Sequence, residues 1–204
     1  MLRRAYWRVR LRPSAVLVCS VIATVQISAL RPAQAQSNWI GTTSSDWFTG
    51  GNWQNGVPTS ITNAVLDTIV PNPTVVNGPG AQALALVVGE SFTGALTIGS
   101  GGTVLTGASG GFLGNGPGST GTVTVTDPGS IWNISGQLVV GGFLGPAFGS
   151  LTVQNGGTVR NTEGSIGYAS GSTGTATVSG AGATWTNSGR PLHRSKRHGH
   201  AQHH

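Results

Sequence analysis

Between Gln36 and Gly189 the chain has no cysteine, no histidine and no lysine, and only one arginine, Arg160. Each absence excludes a chemistry. Without histidine this stretch cannot carry a Ser-His-Asp triad. Without cysteine or histidine it cannot build a typical zinc site, and no disulfide can form within it. Without lysine its glycine-rich stretches are not a phosphate-cradling P-loop, and no dinucleotide-binding context surrounds them. Charge is scarce throughout: 8% of the 204 residues are charged, where a quarter is usual.

The net charge of +6 belongs to the ends. Arg3, Arg4, Arg8, Arg10, Arg12 and Arg31 precede Gln36, while Arg190, Arg194, Lys196 and Arg197 lie in the last fifteen residues. All five acids (Asp46, Asp67, Glu90, Asp127 and Glu163) lie between, so that stretch, with one cation, has a formal charge of −4. A body with one cation cannot neutralise a row of phosphates, which excludes nucleic acid as its partner. Disorder is excluded by the recurrence of Val and Thr together with the low charge. Collagen is excluded because glycine does not recur every third residue.

What is present is a repeat. A glycine, a short loop, a second glycine and an apolar-Thr-apolar triplet occur together four times. The triplets are Leu96-Thr97-Ile98, Val123-Thr124-Val125, Leu151-Thr152-Val153 and Ala176-Thr177-Val178. Their threonines are 27, 28 and 25 residues apart; the anchors Gly89, Gly114, Gly141 and Gly167 are 25, 27 and 26 apart. A longer rhythm sets Gly118–Thr122 against Gly171–Thr175, and Trp132 against Trp185, both at an offset of 53. A unit of this size cannot bury its apolar face alone, so the units must stack.

Alternation within each triplet places its two apolar residues on one face of a strand and its Thr on the other. Turn chemistry follows each triplet, as in Asp127-Pro128-Gly129 and Asn155-Gly156-Gly157. A second short strand comes next (Thr103-Val104-Leu105, Ser130-Ile131-Trp132). A third precedes the anchor glycine (Leu86-Val87-Val88, Leu138-Val139-Val140). Three short strands per turn predict an all-β parallel β-helix of about four rungs over 81–189. An antiparallel sandwich or barrel is the competing fold, but a constant turn length favours the solenoid. Segment 36–80 carries Trp39, Trp47, Phe48 and Trp53 and is expected to cap the open end, which would otherwise expose unpaired strand edges. An aromatic sugar-binding surface is its alternative.

Residues 1–35 have the form of a secretory signal. Five arginines fall in Met1–Arg12, Ser14–Leu30 is an uncharged and mostly apolar run, and Ala33-Gln34-Ala35 supplies small residues for cleavage after Ala35. An uncleaved anchor is the alternative, at the short limit of a membrane span. Cys19, the only cysteine, lies inside this segment.

The run Gly121-Thr122-Val123-Thr124-Val125 through Gly129, with Ile131-Trp132, Ser135-Gly136 and Leu138-Val139-Val140-Gly141, resembles the short tandem repeat shared by bacterial autotransporter passengers (type V secretion) and PEP-CTERM surface proteins. A second copy runs from Gly174 through Trp185 to Ser188-Gly189. Trp39-Ile40-Gly41, Asp46-Trp47, Asn52-Trp53 and Gly56-Val57-Pro58 resemble the opening of many such passengers. The resemblance covers 37–189. It implies export to the surface, outer membrane or surroundings of a Gram-negative bacterium, a structural or adhesive role, and glycans or neighbouring cells as partners; from the missing motifs no cofactor is expected. Such proteins continue through more repeats to a barrel or a sorting segment. Here the chain instead reads RPLHRSKRHGHAQHH over 190–204, with every histidine (His193, His198, His200, His203 and His204). An out-of-frame or truncated end is the expectation. A weak transition-metal site or an affinity tag would also fit this composition.

Parallel β-helices also host polysaccharide-cleaving enzymes, which need two carboxyls in register. Asp127 and Glu163 fall in different parts of their rungs, and Asp46 and Asp67 fall in the expected cap. The expectation is therefore no catalysis. A polysaccharide-active fragment and a truncated passenger without activity are the alternatives. Reading the DNA beyond the Gly189 codon in all three frames checks the tail. A frame that resumes the repeats is expected, and its absence makes the histidine-rich tail genuine.

Overall fold

The structure, a computed structural model, describes residues 35–189. The expected signal segment, apart from Ala35, and the tail 190–204 lie outside the described residues. Fourteen strands follow one another: β1 (Ala35–Asn38), β2 (Thr62–Leu66), β3 (Thr74–Val76), β4 (Ala81–Val88), β5 (Thr93–Ile98), β6 (Thr103–Leu113), β7 (Thr120–Val125), β8 (Ile131–Ile134), β9 (Leu138–Val140), β10 (Phe148–Gln154), β11 (Thr158–Asn161), β12 (Gly164–Ile166), β13 (Thr173–Ser179) and β14 (Thr184–Asn187). Every pairing between them is parallel. The protein is a β-solenoid.

Three faces wind around one core. The first is a five-stranded sheet in the order β3, β5, β7, β10, β13. The second and third share a nine-stranded sheet. The second face stacks the leading parts of β4 and β6 under β8, β11 and β14. The third stacks β1, β2, the trailing parts of β4 and β6, then β9 and β12. The β4–β6 register shifts between Ala83 and Ala85, where the chain passes from the second face to the third.

The inward positions form continuous columns. Leu96, Val123 and Leu151 stack in register, as do Ile98, Val125 and Val153, and all six are buried. Burying each such side chain contributes roughly 1.5–3 kcal/mol. On the second face Val104, Trp132, Val159 and Trp185 share one column. Trp132 is fully buried and its Nε1 donates to Thr106 Oγ1 at 2.9 Å. Trp185 donates to Asn161 Oδ1 at 2.7 Å.

The two glycine landmarks have separate reasons. Gly89, Gly114, Gly141 and Gly167 have φ of +75°, +64°, +89° and +63°, the left-handed region that glycine enters without penalty. The second glycines Gly94, Gly121, Gly149 and Gly174 also stack in register. A Cβ at Gly121 would collide with the carbonyl oxygen of Val88, one coil below, and Gly94 and Gly174 meet the carbonyls of Leu66 and Val140 in the same way.

The count of about four rungs needs correction: the solenoid has about six turns. The extra turns come from the segment expected to be cap alone. β2 pairs with β4 and β3 with β5, while Asp46 bridges Val75 and β1 pairs with β2. These coils lack the landmarks. Leu66 stands opposite Val88, so Asp67 follows where Gly89 would, and Val75 stands opposite Thr97. At the other end the last described coil is open: Ile166 and Val178, at core positions, are 51% and 46% exposed.

Gly121→Ala should lower stability by about 1–3 kcal/mol or more through overpacking. Thr122→Ala, next to it but facing outward, should change it by no more than about 0.5 kcal/mol. Thermal melts followed by circular dichroism compare the two, and equal effects would contradict the stacking explanation.

Candidate functional site: the outer faces of the solenoid

The tryptophans of 36–80 close one end of the core. Trp39, Trp47 and Trp53 are 2%, 0% and 4% exposed and belong to the main core cluster. Trp53 meets both others edge-on, with ring centroids at 5.1 Å and 4.7 Å. Its Nε1 donates to Trp47 O at 2.7 Å, and Trp39 Nε1 donates to Asn72 O at 2.8 Å. Buried Asn52 ties the loop around them: its Oδ1 accepts from the Thr43 and Ser44 amides, and its Nδ2 donates to Ser44 Oγ and Asp46 O. Indoles held in this way cannot stack on a sugar; in this group only Phe48, at 40%, is exposed.

The first face is an array of hydroxyls. Thr97, Thr124, Thr152 and Thr177 stand in register on four consecutive strands. Two residues back along the same strands stand Ala95, Thr122, Ser150 and Thr175, and two further back Thr93, Thr120, Phe148 and Thr173. Ten of these twelve positions carry a hydroxyl, and none carries a charge. Pairing from β5 to β13 runs without a register shift.

The second face carries different chemistry. Gln82, Leu105, Asn133, Arg160 and Thr186 share its outer column. Two adjoining cavities of about 350 Å³ and 230 Å³ lie along it, and both are lined by Asn133 and Arg160. Arg160 is exposed and has no ion-pair partner among the described residues. On the outer side of the third face Val65, Val87, Phe112 and Val139 form a separate apolar cluster, and Phe143 packs on Phe112 at 4.8 Å.

The acids do not gather into one site. Thr49 Oγ1 donates to Asp46 in the cap loop at 2.8 Å. Asp127 occupies a corner at φ +74° and accepts the Ser100 amide at 3.0 Å. The pair that spacing alone missed is Asp67 and Glu90, from consecutive coils. Asp67 Oδ1 accepts the amides of Glu90, Ser91 and Phe92 at 2.7, 2.9 and 2.8 Å, fixing the corner before β5. Burial, and secondly the charge of Asp67, raise the Glu90 pKa above its ordinary 4.5. The alignment of Leu66 with Val88 was the signal that could have found this pair, but it is visible only once β2 is recognised as a coil.

Ala35, the residue before the expected cleavage point, opens β1 opposite Thr62; Ala33 lies outside the described residues. Among the described residues no three His, Cys, Asp or Glu side chains are grouped to hold a metal, and no helix is long and apolar enough to cross a membrane. No protein-family model, curated protein or solved structure matches the chain.

A glutamate whose folded pKa is raised binds more protons folded than unfolded. Its contribution to stability is therefore complete below about pH 4.5 and is lost as pH rises through the raised value. Glu90→Gln should raise the melting temperature at neutral pH and leave it unchanged under acidic conditions. Melts across pH check this, and a gain of equal size at low pH would contradict it.

Proposed function

We propose that this chain is a segment of an exported bacterial passenger, secreted or held at the outer membrane of a Gram-negative cell. It acts as a stiff adhesive or spacing rod without catalysis. The observation carrying this reading is the second face, where one column spanning five coils sets amides, a hydroxyl and a single guanidinium beside two shallow cavities. Amides and hydroxyls at a regular rise suit an extended polar chain, and repeated weak contacts add up along a rod. Glycans of neighbouring cells are the partner this chemistry fits. The tandem-repeat resemblance over 37–189 points the same way.

One observation favours a second reading. Asp67 and Glu90 are neighbouring carboxylates, and burial together with the Asp67 charge raises the Glu90 pKa, as for the acid of a polysaccharide-cleaving pair. Against it, Asp67 is occupied in holding three backbone amides.

Incubation with a panel of neutral and acidic polysaccharides separates the two. Binding without shortening of the polymer is expected, with affinity reduced by Arg160→Ala on the acidic members. Cleavage that disappears in Glu90→Gln would replace the adhesive reading with the enzymatic one.

A further inference from the structure

The hydroxyl array of the first face repeats in two dimensions, and we propose that it binds the prism face of ice. Neighbouring strands in a sheet lie about 4.8 Å apart, and residues two apart along a strand are separated by roughly 6.6 Å. Thr122 and Thr124, Ser150 and Thr152, and Thr175 and Thr177 therefore mark the corners of a rectangular net. Its shorter edge is close to the oxygen repeat along one axis of the prism face of hexagonal ice, and its longer edge is about a tenth shorter than the repeat along the other. A single glycan chain repeats along one direction only, so it cannot use both edges of such a net.

Four features support a crystal surface as the ligand. The net is uncharged, so it does not impose the tight, disordering hydration of an ion. It is regular, because β5, β7, β10 and β13 pair without a bulge. It is rigid on β7 and β10, because Val123, Val125, Leu151 and Val153 lie packed beneath them, whereas Val178 beneath β13 is 46% exposed. Its hydroxyls are available: within the six-residue net the one side-chain hydrogen bond is Thr175 Oγ1 to Ser150 Oγ at 3.3 Å. Each threonine offers an Oγ1 that holds a water and a methyl that does not. Waters anchored in this way take the spacing of the protein and can join the lattice at a growing front. A water-mediated bond costs about 0–2 kcal/mol of immobilisation entropy and is otherwise nearly as good as a direct one, and the number of sites makes the weak contacts cumulative. The exceptions, Ala95 and Phe148, fall at the border of the net.

This function is separate from glycan contact on the second face. The test uses the full 204-residue chain, with thermal hysteresis, crystal shaping and inhibition of ice recrystallisation as readouts. The wild-type chain should shape crystals and slow recrystallisation. Thr152→Tyr and Thr124→Lys should abolish both while keeping the wild-type circular-dichroism melt. Thr158→Tyr, on the second face, should change neither. A cooperatively melting wild-type chain without effect on ice, or undiminished activity in folded Thr152→Tyr, would overturn the proposal. Loss of polysaccharide binding with ice activity intact would count against the glycan reading alone.

Discussion

Everything in this molecule depends on one constraint: parallel strands must stack residue over residue at a single spacing. Once β5 sits on β7 in register, each position belongs to a column. An inward column must be apolar and tolerate its own copy one coil away. Leucine, valine and isoleucine meet that condition. At the corner beside each anchor, only glycine does, because the carbonyl of the coil below occupies the space of a side chain. Variation in length is confined to the corners, where triplet spacings of 27, 28 and 25 residues are absorbed without disturbing the sheet.

The same constraint leaves the two ends unlike. At one end the column is finished by three interlocked indoles and a buried asparagine that ties the covering loop. At the other, the core positions of the last described coil remain open to solvent, with Val178 and Ile166 partly uncovered. The rod is therefore polar along its axis even though its sides repeat. Its three sides also differ: hydroxyls on the first, amides and one guanidinium on the second, an apolar column on the third.

The sequence made the fold legible wherever the column rule was strict. The Thr ladder, the paired glycines and the inward Trp132 and Trp185 all appear as a fixed period because any departure meets a neighbour of its own kind. It was less legible in 36–80. There Asp67 replaces an anchor glycine and Val75 replaces a ladder threonine, so the coils formed by β2 and β3 carry no repeat signature. Legibility of the site was lower for the same reason. The Asp67–Glu90 contact joins a coil without the signature to one that has it. The groove around Arg160 forms between residues whose relation is lateral, across coils, and side-chain type alone does not encode it.

The solitary arginine has one more consequence, which concerns digestion. Within 35–189 a protease that requires lysine or arginine finds a single bond to cut, Arg160–Asn161. That bond lies inside β11, whose backbone is paired with β8 on one side and β14 on the other. To reach it, the enzyme must first peel a strand out of the middle of a sheet. The scarcity of cationic side chains thus leaves trypsin-like enzymes no loop to nick within 35–189.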